Sequence, residues 1–380
     1  MKLYKKPPHH YKMRQALFYK IIGKPLLKIT KLTFITGMKM DIETKPFQIL
    51  ALSGGGYRGL YTAQVLADLE EEFGSPIGQR FDLITGTSVG GIIAIAIALE
   101  IPMQKVVELF VQHGHEIFKK RRWYSRWFGY RRSNYTADGL KQLLSSPELF
   151  GEKILADAKH PVIIPSINYT EGKPVVFKTP HHQDFRRDWK FKLVDIALAT
   201  SAAPMYFPRH MIENQQYVDG GLCANNPNLI GLHEADYFFD VSLKDIALLS
   251  IGTLSSKRTV NASNNKDGGL IDWAESKYKL GDSARNIIDL TLANQQMLMQ
   301  QIADHRLTRH KGISFKIDEN LVAKSTDYVG LDLVSEWSQE TLIGNARSSS
   351  KIAIAKPELI QIMSHVAPSP KWHHGPNKNI

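Results

Sequence analysis

The chain has 380 residues, 43% of them hydrophobic and 22% charged, with a net charge of +11 at pH 7 and a single cysteine, Cys223. That length suits one large domain or a domain with an appendage, and the composition is ordinary for a globular protein. One cysteine excludes an intrachain disulfide and any zinc cluster built from thiolates, which points to an intracellular protein.

Residues 1–46 read as a basic N-terminal arm. Ten Lys/Arg and no acid fall within residues 1–40, and the rest of the chain is close to neutral. Apolar residues at helical spacing (Ile22, Leu26, Ile29) make the arm either a cationic amphipathic segment for anionic lipid or a solvated extension. No stretch approaches the length of a membrane span; the longest apolar run, IIAIAIAL at 92–99, is far too short. FQILAL (47–52) predicts a buried strand, and 60–73 a helix ending at Gly74. FDLITGT (81–87) predicts a second strand, followed by a helix at 90–100 that is apolar on every side and therefore buried. A helix over 104–119, strands over 161–169 and 174–179, and a helix over 194–204 follow. YVDGG (217–221) reads as a strand running into a turn, and 245–253 as a further strand. Alternating strands and helices predict an α/β fold with a largely parallel sheet. Residues 255–269 read as a polar loop, 270–308 as helical, and 367–380 as a disordered tail.

Three glycine-rich turns carry the chemistry. QILALSGGGYRGL (48–60) satisfies the dinucleotide-binding spacing G-x-G-x-x-G through Gly54, Gly56 and Gly59. A dinucleotide site needs an acidic residue at the far end of the second strand. That end is instead GTSVG (86–90), a G-x-S-x-G turn between a strand and a buried helix, with Gly86 and Gly90 flanking Ser88. Both loops leave one edge of a parallel sheet. Gly54, Gly55 and Gly56 can then offer backbone N–H groups to the oxyanion formed when Ser88 attacks a carbonyl, and Arg58 would add positive charge. A serine nucleophile needs a base. None of the 14 histidines sits in a comparably marked turn, whereas Asp219 stands at a strand end before Gly220 and Gly221. Burial would raise its pKa towards that of a useful base. A Ser–Asp–His triad with His233, His305 or His310 remains the rival hydrolase reading.

Together GGGYRG (54–59), GTSVG (86–90) and DGG (219–221) resemble the patatin-like phospholipases, as do ATSAAPMYFP (199–208) and NNP (225–227). The resemblance covers about residues 47–253. It implies a three-layer α/β/α fold with extra C-terminal helices over 254–366. It also implies an acyl hydrolase of membrane glycerolipids that uses a Ser88–Asp219 dyad without histidine and needs no metal or cofactor. GGLIDWA (268–274) and the helical C-terminal region further resemble bacterial effector phospholipases of antiphage systems. Those are switched on by a cyclic di- or trinucleotide and degrade the cell's own membrane. This likeness implies a cytoplasmic protein recruited to the inner face of the membrane, admits a homo-oligomer, and implies no DNA or RNA polymer as partner.

KKRRWYSRWFGYRR (119–132) interleaves seven Lys/Arg with five aromatics. Arg121, Arg122, Trp123 and Trp127 suit a lipid headgroup interface or a stacked nucleotide, in a segment that gates the active site; the alternative is a solvated loop packed on the domain. A third reading of the whole chain is a non-enzymatic lipid or nucleotide sensor on a patatin scaffold.

Overall fold

A computed structural model describes residues 46–119, 132–254, 280–319 and 329–378. Among the described residues eight strands form one sheet: β1 (Phe47–Leu52), β2 (Leu83–Gly86), β3 (Val162–Asn168), β4 (Lys173–Lys178), β5 (His210–Ile212), β6 (Gln215–Asp219), β7 (Ile246–Ile251) and β8 (Ile313–Ile317). Their order is β5-β6-β3-β2-β1-β7-β8, with β4 pairing β3 off this path. Strands β3, β2, β1, β7 and β8 run parallel, while β4, β5 and β6 are antiparallel to their neighbours. The expectation of a largely parallel sheet therefore holds for its centre, and the segment that carries Asp219 runs the other way.

The central strands are buried and mostly apolar because both faces of the sheet are covered. Leu50 and Leu52 of β1 point into one core cluster, while Ile49 and Ala51 point into a second. The first cluster includes residues of α1 (Gly59–Phe73), α2 (Val89–Ala98), α3 (Met103–Ile117), α4 (Asp138–Leu144) and α5 (Leu193–Thr200). The second includes Leu232 and Ala235 of α7 (Asn228–Tyr237), and Ala303 and Leu307 of α8 (Leu280–His310). Between β6 and α7 lies the single turn α6 (Gly221–Ala224), and α9 (Glu336–Ile354) and α10 (Pro357–Met363) follow β8. α9 packs on α1, extending the first layer. The result is a sheet between two helical layers.

α1 ends where expected, at Gly74, whose left-handed conformation (φ 65°) lets its N–H reach the Glu70 carbonyl. α2 has no polar face, and nine of its ten residues are buried. No helix among the described residues is long and apolar enough to cross a membrane.

β8 was not foreseen; it is a half-exposed edge strand of five residues directly after a long helix, too short to show a period. The tail from 367, expected to be disordered, is instead placed along the domain through Lys378. Ala367 N–H donates to the Gln79 carbonyl (2.9 Å), His373 N–H to that of Pro180 (2.8 Å) and Asn377 Nδ2 to that of Ala156 (2.8 Å). Polar composition argued for disorder, but main-chain partners in the folded domain satisfy these donors without an apolar segment.

Candidate active site

Strand register assembles the site. Ile84 and Thr85 of β2 pair with Val162 and Ile163 of β3, so continuing along both chains brings Ser88 level with Ser166. Ser166 pairs with Asp219 across the antiparallel β3–β6 ladder. Serine and aspartate, 131 residues apart in sequence, are thus on neighbouring rungs, and Ser88 Oγ donates to Asp219 Oδ2 at 2.7 Å. Both are nearly enclosed, at 9% and 6% exposure.

Ser88 is the residue between β2 and α2, with φ 55° and ψ −126°. Such a backbone costs a side-chain-bearing residue about 1–3 kcal/mol and persists only where the surroundings over-determine it. They do so here. Ser88 N–H donates to Thr200 Oγ1 (3.0 Å), whose own hydroxyl donates to the Pro165 carbonyl (2.7 Å). Thr87 Oγ1 donates to the Ala224 carbonyl (2.7 Å), and Thr87 N–H to that of Leu52 (3.1 Å). Gly90 leaves room for the turn: a Cβ there would lie 2.4 Å from the Leu52 carbonyl oxygen.

Burial pushes the Asp219 carboxyl up to about 6, against smaller opposing effects of the Gly221 N–H and the Ser88 hydroxyl that it accepts. Asp219 Oδ1 takes the Gly221 N–H at 2.6 Å, which fixes the carboxylate plane and leaves Oδ2 for the serine. Among the described residues no histidine stands between them. His181 bonds Glu234 and Thr179, and His233 stacks on Tyr237.

The glycine loop divides its labour more finely than the sequence suggested. Gly54 N–H is already committed to the Asn225 carbonyl (2.9 Å). The N–H groups of Gly55 and Gly56 have no acceptor among the described residues. Gly56 must be glycine: its φ is +57°, and a Cβ would fall 2.1 Å from the Leu331 carbonyl oxygen, which already accepts the Tyr57 N–H (2.8 Å). Arg58 does not face open solvent as a free charge. The residue is half-buried, Nε donates to the Gly55 carbonyl (3.3 Å), and Asp289 and Asp318 offset part of the desolvation that lowers its pKa. It pins the loop from behind. Gly59 starts α1, packed against Val89, while Gly86 closes β2.

One set of residues escaped the sequence reading. Along α8, Gln295 Oε1 accepts Asn225 N–H (2.7 Å) and Gln296 Oε1 accepts Asn225 Nδ2 (3.2 Å). Gln300 Oε1 accepts both Asn226 Nδ2 (3.2 Å) and Asn228 Nδ2 (2.8 Å). These glutamines fall on one helix face and clamp the NNP turn that follows the aspartate. The run QQMLMQQ was visible, but its partners lie about 70 residues away. Thr200 was visible only as part of the ATSAAP block. Arg121, Arg122, Trp123 and Trp127 lie outside the described residues, as does GGLIDWA.

A patatin-like phospholipase family model matches residues 50–230, the span that holds all three turns. A cGAMP-activated phospholipase of Pseudomonas aeruginosa is 39% identical over 88% of this chain and 97% of its own length. The chain belongs to the patatin-like phospholipase family. Among its relatives are a cGAMP-activated phospholipase of Vibrio cholerae, 35% identical over 79% of this chain and 89% of that protein. A cUMP-AMP-activated phospholipase of Escherichia coli is 30% identical over 54% of this chain and 64% of that protein. The first two similarities cover more of the chain than the family model does.

Proposed function

We propose that this patatin-like protein is a serine acyl hydrolase that cleaves fatty-acyl esters of membrane phospholipids and is switched on by a cyclic oligonucleotide in antiphage defence. The observation that carries the chemistry is the 2.7 Å hydrogen bond from Ser88 to a buried Asp219, with no histidine between them. Asp219 Oδ2 takes the serine proton as Oγ attacks the ester carbonyl. The oxyanion is received by the Gly55 and Gly56 N–H groups, and Asp219 returns the proton to the departing lysophospholipid. Water, activated by the same carboxylate, then frees the fatty acid. Gly54 and Arg58 hold the loop's shape.

Two observations support nucleotide control: the names of the relatives matched over most of the chain, and the long helix α8 resting on the turn after Asp219. A ligand that shifts α8 would move Asn225 and with it the Gly54 N–H. The near balance of acids and bases beyond the arm supports no DNA or RNA polymer as partner. We assign the protein to the cytoplasm and to recruitment at the inner leaflet, with the basic arm and the 119–132 segment as lipid or nucleotide contacts.

The test is fatty-acid release from phospholipid vesicles with no nucleotide, with cGAMP, or with cUMP-AMP. Release that requires a nucleotide and is abolished in Ser88→Ala and Asp219→Ala supports the reading. Release that survives either substitution removes the dyad; release indifferent to every cyclic nucleotide tried removes the switch.

A further inference from the structure

Asp318 follows β8 and is nearly enclosed, with its side chain 6% exposed. Its carboxylate lies against Gly252 at the end of β7, where an added Cβ would collide with it. Its partners are all donors. Oδ1 accepts the Leu254 N–H (3.1 Å), and Oδ2 accepts Gln296 Nε2 (3.4 Å) and the Lys316 ammonium (3.1 Å).

Two of these partners lead back to the glycine loop. Leu254 is buried with a left-handed backbone (φ 58°), a conformation that a branched side chain keeps only where its surroundings enforce it. The Asp318 bond to its N–H holds that turn and so places Thr253. Thr253 Oγ1 donates to the Gly54 carbonyl (3.2 Å), and the same side chain lies directly against Gly55. On the other side, Gln296 Oε1 takes Asn225 Nδ2 (3.2 Å), and the Asn225 carbonyl takes the Gly54 N–H (2.9 Å). The Asp318 charge also offsets part of the desolvation of Arg58, whose Nε donates to the Gly55 carbonyl (3.3 Å). Gly54 is thus held by both its N–H and its carbonyl, from two segments that meet at one carboxylate.

We propose that Asp318 is a positioning residue for the oxyanion loop, and that through Thr253 and Asn225 it sets the direction of the Gly55 and Gly56 N–H groups. This rests on the acyl-hydrolase reading of that loop. The role demands a carboxylate. Both oxygens face donors, and Gln296 cannot turn its amide over, because its own oxygen is committed to Asn225. An asparagine of the same shape would set its NH2 group against either the Leu254 N–H or Gln296 Nε2.

The experiment compares the full-length wild type with Asp318→Asn, Gly252→Ala and the double variant. Gly252→Ala keeps the aspartate but pushes its carboxylate off its donors. Hydrogen exchange read by mass spectrometry follows the loop without catalysis. Peptides that carry Gly54–Tyr57 should exchange at least about tenfold faster in each variant, while peptides of α1 and α5 keep their wild-type rates. Turnover is measured on a soluble short-chain ester under the conditions of highest wild-type turnover, per site titrated with a fluorophosphonate. It should fall about 10- to 100-fold in kcat with KM unchanged. The double variant should fall no further than the worse single one, because both changes act through one carboxylate. A merely structural role would lower the number of titrated sites and leave kcat per site intact. Should Asp318→Asn fail to fold, Gly252→Ala decides. Wild-type loop exchange in a folded variant, or wild-type kcat per site, overturns the assignment. A loosened loop in a protein whose wild type shows no Ser88-dependent hydrolysis would keep Asp318 as the loop's brace and remove the hydrolase reading. Ser88-dependent hydrolysis with an unmoved loop would do the reverse.

Discussion

Replacing Asp219 by Asn should disable the enzyme and stabilise the fold, in a pH-dependent way. The carboxyl is enclosed, and burial raises its pKa from 3.8 to about 6. A tenfold change in an ionisation equilibrium is worth about 1.36 kcal/mol, so ionising Asp219 in the folded protein costs about 3 kcal/mol more than in the unfolded chain. A raised folded pKa means that this part of the stability is intact below pH 4 and lost as pH rises through 6. Asn mimics the neutral acid at every pH. It keeps both contacts: Oδ1 still accepts the Gly221 N–H, and Nδ2 now donates to Ser88 Oγ. Asp219→Asn should therefore melt with the wild type below about pH 4, gain between pH 4 and 6, and hold a full gain above 6. For a chain of this size, 3 kcal/mol corresponds to a rise on the order of 4 °C in Tm. Activity should meanwhile fall at least about 100-fold with the base removed. The assay is a pair of calorimetric melts across pH 3.5 to 8. An equal gain at all pH values, or a loss at pH 8, would refute a buried, destabilised carboxylate at this position.

Four further outcomes are expected. In the wild type, kcat/KM should fall about tenfold per pH unit below about 6, where Asp219 becomes protonated and cannot act as a base, measured on a neutral ester. Thr200→Val should leave the Ser88 N–H without its acceptor, at a cost of about 1–3 kcal/mol by denaturant melt and with a lower kcat. Gly56→Ala should abolish hydrolysis, because the φ of +57° and the Leu331 carbonyl leave no room for the methyl group; an active, folded Ala variant would count against the glycine loop's assigned role. Gln300→Leu should strand two buried amides, Asn226 and Asn228, and lower stability by about 2 kcal/mol or more with KM and kcat both affected.

How far the sequence could be read depended on how local the determining interactions are. The three turns were legible because small residues at strand ends have few other uses, and Ser88 and Asp219 sit in two of them. Their meeting was not legible from pattern alone: it depends on the β2–β3–β6 register, and nothing in QQYVD announces that β6 runs antiparallel. Arg58 was read by its charge, but its Nε is turned to the Gly55 carbonyl. Gly54 was counted with its neighbours because a glycine run does not reveal which N–H already has an acceptor. The glutamine clamp of α8 was invisible for the same reason, since a polar helix face reads as solvated until a partner from the NNP turn is placed against it. The tail misled through composition, since main-chain hydrogen bonds to the domain leave no hydropathy signal.

The claim that matters most is that Ser88 is a nucleophile whose proton goes to Asp219. Intact-protein mass spectrometry after exposure to a fluorophosphonate tests it directly, without the natural lipid. A single adduct that maps to Ser88, is absent in Ser88→Ala, and forms at least about 100-fold more slowly in Asp219→Asn is the expected result. An adduct on another residue, or one formed at the wild-type rate without the carboxylate, would contradict it.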